Sequence, residues 1–320
     1  MFQIAVIGAG QLGSRHLQGL AKANFDAEIW VVDPSVDSLK TAQSRYNEVQ
    51  TESKIIHFVS TFSEIGASDI DFAIIATGSI YRLQALQSLT DQCVVKYLLL
   101  EKILFPSLEQ YEITAELLKR KNIKTWVNCP MRMNDLFKSI KNILTGRFTL
   151  SISANSVGLA CNGIHYLDYF AYLAGSSNIE LSAQLVNMHP SKRAGYVEFE
   201  GAIHGKDEKG NLFSLFSINN GPMAINYLIQ TEDRQIMIDE MTGEYWVRSN
   251  GDSEVWKSNR FRVCFQSEMT GIIAENLFSS GVCELTPYAE AMKIHVQFLE
   301  QFLQYMQKSS LEKITLCPIT

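Results

Sequence analysis

No run of eighteen apolar residues occurs anywhere in this chain of 320, and the first strand-like stretch already begins at residue 2. Both observations argue against a membrane span and a secretory leader. Positive charge is also scarce. The 28 Lys and Arg stand against 34 Asp and Glu, a net charge of −6, which speaks against nucleic acid or an anionic membrane surface as partner. Six cysteines, at 93, 129, 161, 264, 283 and 317, form no CxxC pair, so reduced core thiols are expected, with no disulfide framework and no metal site. His57, His189, His204 and His295 lack metal-ligand spacing and read as structural or surface residues. Repeats, low-complexity tracts and long linkers are absent too. The expected compartment is the cytoplasm.

What is present is a substantial core. Hydrophobic residues make up 46% and charged residues 19%, the balance of a globular protein, and the length suits two domains. The most telling stretch is FQIAVIGAGQLGSRHLQGL followed by AEIWVVD. An apolar run, Phe2 to Ile7, leads into Gly8, Gly10 and Gly13, a helix-like segment follows, and a second apolar run ends at Asp33. Strand, tight turn, helix and second strand ending in an acid are the signature of a dinucleotide site. Gly8 permits the turn, Gly10 lets backbone approach a pyrophosphate, and Gly13 lets helix and strand pack closely. The N–H groups at the helix start, around Gln11 and Leu12, face the phosphates. Asp33 accepts from a ribose diol and would repel a 2′-phosphate, which favours NAD over NADP; Arg45 and the serines at 35 and 38 weaken this only slightly.

Strand-like and helix-like segments alternate through the first part, with strands at 2–7, 29–33, 55–59, 71–76, 95–100 and 123–128. Helices are predicted at 12–23, 36–46, 81–90 and 107–121. This alternation predicts an α/β doubly wound parallel sheet. Ala76, Thr77 and Gly78 follow the strand DFAIIA, where small residues let backbone approach the dinucleotide at the crevice outside the strand ends. After Pro130 the pattern changes to helices near 134–145 and 163–174, a strand at 148–156, then strand-like runs at 179–188, 196–205, 211–219, 223–232, 234–240 and 244–248. An amphipathic helix closes the chain at 288–306. A large, mostly antiparallel open sheet is expected there, within a second, α+β domain. The domains are therefore read as 1–128 and 129–320. An uncovered apolar sheet face, assigned to Val197, Phe199, Phe213, Leu215 and Ile225, predicts a homodimer or homotetramer.

IGAGQLGSRH at 7–16, ATGS at 76–79, EK at 101–102, VNCPMR at 127–132 and GIHYLD at 163–168 together resemble the glucose–fructose oxidoreductase/inositol dehydrogenase family. The resemblance spans about half the chain. It implies a Rossmann domain followed by an α/β domain with a large open sheet. It also implies an NAD(P)-dependent oxidoreductase that moves a hydride between the nicotinamide and a secondary alcohol or ketone of a sugar, polyol or nucleotide sugar. Glu101 and Lys102 join the cofactor candidates on this basis, and Arg132 and Asn162 become substrate candidates. Two departures stand out. The family's Glu-Lys-Pro reads Glu101-Lys102-Ile103 here, and Cys161 stands where Asp or Asn is usual four residues before the histidine. Two alternatives therefore stay open: reduction of a C=N or C=C bond in a non-sugar substrate, or a dinucleotide-binding sensor without catalysis.

Transfer of a hydride from an alcohol needs a proton acceptor and a group that stabilises developing negative charge. Lys102, emerging after the strand YLLLEK, is the candidate cation, the plainer reading being a lysine snorkelling at a strand end. His165 is the candidate acid/base, against a hydrogen-bonded core histidine. Asp168, three residues on and on the same helical face, is read as orienting the histidine, contacting substrate or capping local structure. His16, in the first helix, is expected to pack between helix and sheet. Lys192 and Arg193 stand on a basic loop that either meets a phosphate or is simply solvated.

Overall fold

The computed structural model describes residues 1–49, 54–250 and 256–320. In chain order it begins with β1 (Phe2–Ile7), α1 (Gln11–Lys22), β2 (Ala27–Val32), α2 (Val36–Asn47), β3 (Lys54–Val59), β4 (Asp69–Ile75), α3 (Ser79–Gln92), β5 (Val94–Leu100), α4 (Glu109–Lys121) and β6 (Lys124–Val127). There follow α5 (Asp135–Ile143), β7 (Thr149–Asn155), α6 (Leu159–Ala174), β8 (Ile179–Pro190), β9 (Val197–Asp207), β10 (Leu212–Ile218), β11 (Ala224–Gln230), β12 (Arg234–Asp239), β13 (Glu244–Ser249) and β14 (Lys257–Arg260). The chain ends with α7 (Gln266–Ser280), β15 (Thr286–Pro287) and α8 (Tyr288–Gln307).

Two compact units result. The first comprises Met1–Phe105, Glu109–Asn128 and Cys264–Ala289; the second comprises Pro106–Leu108, Cys129–Val263 and Glu290–Thr320. In the first, the strand order is β15-β6-β5-β4-β1-β2-β3, parallel throughout except for β15. From β6 to β3 this is the doubly wound dinucleotide-binding order, with its switch point between β1 and β4. Ile4–Ile7, Phe72–Ile75 and Leu98–Leu100 are buried, because helices cover both faces of a parallel sheet and leave no solvated side to alternate with.

The division corrects the domain limits read from sequence. Residues 264–289, assigned there to the second domain, fold into the first unit. The reason is α7, which packs tightly on α1: a Cβ at Gly271 would lie 2.7 Å from the Gly19 carbonyl oxygen. Phe278 also stacks on Phe2 at 3.8 Å and meets Phe25 edge-on at 5.0 Å. No local spacing signal announces that return, and α7 itself was not read from the sequence.

In the second unit the order is β14-β13-β12-β11-β7-β10-β9-β8, antiparallel apart from the β7–β10 pair. One face is packed by α6 and α8: Phe213 lies on Phe170 at 5.4 Å, and Phe199 on Phe302 at 4.7 Å. This reverses part of the expected interface. Phe199, Phe213, Leu215 and Ile225 are buried inside the unit, because their phase of the two-residue alternation points to the helices. The opposite phase brings out Leu212, Phe216, Ile218 and Met237, which are 48%, 47%, 49% and 42% exposed.

Candidate functional site

At the head of α1 the backbone does what the glycine spacing requires. Gly8 has φ +93°, a left-handed conformation that a side chain would strain. A Cβ on Gly13 would overlap the Gly8 carbonyl oxygen, so only glycine lets helix and turn approach this closely. Gly8 also packs against Ala76 and Thr77, an ideal Cβ lying 3.0 Å from the Thr77 nitrogen. The first glycine turn and the small-residue turn after β4 are thus brought together. Asp33, just past β2, closes the group: its Oδ2 accepts from the Ala9 N–H at 2.7 Å and its Oδ1 from the Ser35 N–H at 2.8 Å.

These residues fit a dinucleotide. No side chain caps α1 at Gly10, no acid stands in its first turn, and beyond Gly10 a Cβ would meet nothing within 4 Å. The helix start therefore offers N–H groups and a positive dipole end beside open space. α3 likewise begins at Gly78 without a side-chain cap. Thr77 Oγ1 is buried with no hydrogen-bond partner among the described residues, as a group awaiting a ligand would be. Gln11, adjoining Leu12, is held by Arg45, whose guanidinium donates to Gln11 Oε1 and Ser14 Oγ, both at 2.6 Å.

Glu101 and Lys102 follow β5, and the Lys102–Ile103 peptide is cis at the position where the resemblance has proline. The Glu101 side chain turns inward. His16 Nε2 lies 2.8 Å from its Oε1, and Asn128 Nδ2 donates to the same oxygen. Burial pushes this carboxyl up, but His16, Asn128 and the nearby Arg82 outweigh that effect and hold it below its usual range. His16 reaches Thr270 Oγ1 of α7 with its other nitrogen at 2.9 Å. The sequence reading placed His16 between helix and sheet without identifying Glu101 as its partner, and missed Asn128, Thr270 and Arg82. The one available signal was an acid before Lys102 that local packing left unexplained.

In the second unit α6 carries Asn162, His165 and Asp168. Asn162 donates from its amide to the Val157 carbonyl, and His165 is partly exposed. Asp168 is fully buried and grips Arg132 through two bonds, Arg132 Nη2 to Oδ1 at 3.0 Å and Nε to Oδ2 at 3.2 Å. The Arg132 guanidinium also lies 4.9 Å from the Tyr172 ring centroid. Two residues that the sequence reading gave to substrate and catalysis are therefore brought together with each other. Glu198 of β9 caps the start of α6, accepting from the Ala160 and Cys161 N–H groups; burial pushes its carboxyl up. Behind the helix, Tyr166 meets Tyr227 edge-on at 5.9 Å, and Tyr227 donates to Glu240, another carboxyl raised by burial. Among the described residues no cluster of His, Cys, Asp and Glu is placed to hold a metal ion.

Comparison with known proteins agrees with the fold. The oxidoreductase of Agrobacterium radiobacter solved with NAD+, L-tartaric acid and magnesium superposes with TM-score 0.75 at 15% identity, over 98% of each chain. UDP-N-acetylglucosamine 3-dehydrogenase GnnA of Acidithiobacillus ferrooxidans gives 0.72 at 14%, over 93% of this chain and 95% of that one. The two-domain fold is the one these oxidoreductases share. A super-repressor mutant of Gal80p from Saccharomyces cerevisiae shares it too, with TM-score 0.73 at 13% identity, over 96% of each chain. The ketopantoate reductase PanE/ApbA family model matches residues 4–99, from within β1 into β5. A sequence search of curated proteins returns no match. Among the described residues no helix is long and apolar enough to cross a membrane.

Proposed function

We propose that this protein is an NAD-dependent oxidoreductase of the glucose–fructose oxidoreductase/inositol dehydrogenase family, acting on a secondary alcohol or the matching ketone of a sugar, polyol or nucleotide sugar. The observation that carries the reading is the glycine turn closed on Asp33 at 2.7 Å from the Ala9 N–H, at the uncapped start of α1. Two relatives in fold were solved with NAD, and another is a nucleotide-sugar dehydrogenase. When bound, the nicotinamide supplies a hydride acceptor or donor. Gly8, Gly10, Gln11, Leu12 and Gly13 hold the pyrophosphate through backbone N–H groups, Ala76, Thr77 and Gly78 line its path, and Asp33 takes the ribose diol. His165 takes the hydroxyl proton and returns it in the reverse direction. The Lys102 ammonium stabilises the developing alkoxide. Asn162 is assigned to substrate. Arg132 and Asp168, each the other's partner, support α6. Incubating the protein with NAD and a panel of sugars, polyols and nucleotide sugars, and reading nicotinamide absorbance, tests the reading; absence of turnover with all of them overturns it in favour of a non-sugar reductase or a dinucleotide-binding sensor.

Cofactor choice is set by Asp33. Replacing it with Ala removes the acceptor of both the Ala9 and Ser35 N–H groups and the partner of the ribose diol. NADH titrated against Asp33→Ala is expected to bind at least tenfold more weakly, by about 1.4 kcal/mol, and the gap to NADPH is expected to narrow. Wild-type protein that binds NADPH more tightly than NADH overturns the NAD assignment.

We further propose that a second copy covers the outer face of the open sheet, where Leu212, Phe216 and Ile218 stand exposed. Light scattering should then give at least twice the 36.1 kDa of one chain, and Phe216→Glu should shift the mass toward one chain. A monomer at micromolar concentration refutes it.

A further inference from the structure

Arg82, on α3, is 1% exposed. Its guanidinium donates to the backbone carbonyls of Thr77 and Ile103, and to that of Leu104 at 2.9 Å. Thr77 lies in the turn after β4, and Ile103 and Leu104 lie just past β5. These two strands are neighbours in the parallel sheet, so one side chain ties together the loops at their carboxyl ends. From the other direction Glu101 is held by His16 and Asn128, and His16 in turn by Thr270. Lys102 is therefore flanked in the chain by two anchored residues, Glu101 before it and Ile103 after it.

We infer that Arg82 and the buried His16–Glu101 pair are positioning residues that fix where the Lys102 ammonium stands. Burying a guanidinium carries a large desolvation penalty before its bonds are counted, out of proportion to merely joining two loops. What the guanidinium provides is direction. Its rigid fork reaches three carbonyls at once, whereas a lysine at this position has only a compact ammonium on a flexible stem. The Glu101 carboxylate supplies a compensating charge beside it. Because the fork grips the backbone after both β4 and β5, loss of the side chain frees the segment that carries Lys102. The inference rests on the oxidoreductase reading for its effect on catalysis, but not for its effect on Lys102 itself.

The test uses the full-length chain with Arg82→Met, Arg82→Lys and His16→Gln. One readout needs neither cofactor nor substrate. After reductive 13C-methylation of the lysines, the Lys102 resonance, identified by its loss in Lys102→Arg, is followed. Arg82→Met is expected to move its chemical shift, with Arg82→Lys between Arg82→Met and the wild type and His16→Gln moving in the same sense. With a substrate in hand, Arg82→Met should lower kcat about 10–100-fold, the scale of a misplacement near 1 Å, while KM changes far less. A folded Arg82→Met protein with a lower Tm but an unmoved Lys102 resonance overturns the proposal, because Arg82 would then serve stability alone. If Arg82→Met does not fold, His16→Gln is read in the same way, and an unmoved resonance there is equally fatal. A moved resonance, in a protein whose wild type turns over nothing on the sugar panel, supports the positioning role while sinking the sugar-oxidoreductase reading.

Discussion

His165→Ala should lower turnover by about 10²–10⁴-fold, the usual contribution of a general base, while NADH binds almost as tightly as to the wild type. The two effects separate because His165 belongs to the second unit, whereas the glycine turn and Asp33 belong to the first. A rate loss in kcat and in kcat/KM together marks an interaction made in the transition state, not uniform binding. If His165 instead serves the packing of α6, the variant will melt at a lower temperature and its folded fraction will turn over normally. Full specific activity in folded His165→Ala protein would remove the histidine from the mechanism.

Asp168→Ala should cost stability more than any other single change considered for the second unit. It leaves the Arg132 guanidinium buried without the two bonds of 3.0 and 3.2 Å that now neutralise it. An orphaned buried charge costs about 3–5 kcal/mol, which for a unit of this size corresponds to a fall in melting temperature of roughly 6–20 °C. Replacing both partners with apolar residues, as in Asp168→Leu with Arg132→Met, should recover most of the loss, because a buried pair contributes little net stability over a well-packed apolar pair. Calorimetry of the single and double variants decides the matter. A single variant as stable as the wild type, with an altered pH profile of turnover, would show Asp168 acting in catalysis, as its spacing from His165 suggests, and not as the partner on which Arg132 depends.

The contrast between these residues explains what could be read in advance. Asp168 stands three residues from His165, and helical geometry puts both on one face, so the sequence argued for a functional dyad. Its carboxylate also grips a guanidinium 36 residues away, and nothing in the local pattern announces that distant partner. Glu198, capping α6 from 37 or 38 positions away, was invisible for the same reason, since cap rules look only to residues next to the helix start. The sheet of the second unit shows the same limit. Its alternation predicted strands close to those found, yet the face that meets the helices was assigned in the wrong phase. A two-residue period says that two faces exist; it does not say which one a distant helix will cover.

What the sequence determined by itself is the dinucleotide turn. Gly8, Gly10, Gly13 and Asp33 lie within 26 residues, and each acts through backbone conformation or close approach, properties that short-range sterics impose wherever the rest of the chain goes. The parallel order of the first sheet followed from the same local grammar, because a strand–helix–strand unit closes in one hand. Only the tertiary structure decided that α7 returns to the first unit, that Arg82 and His16 anchor the segment around Lys102, and that Arg132 and Asp168 neutralise each other. Each of these joins groups far apart in the chain. Buried polar groups must find partners of complementary charge wherever packing brings them, and that choice is made by the assembled core.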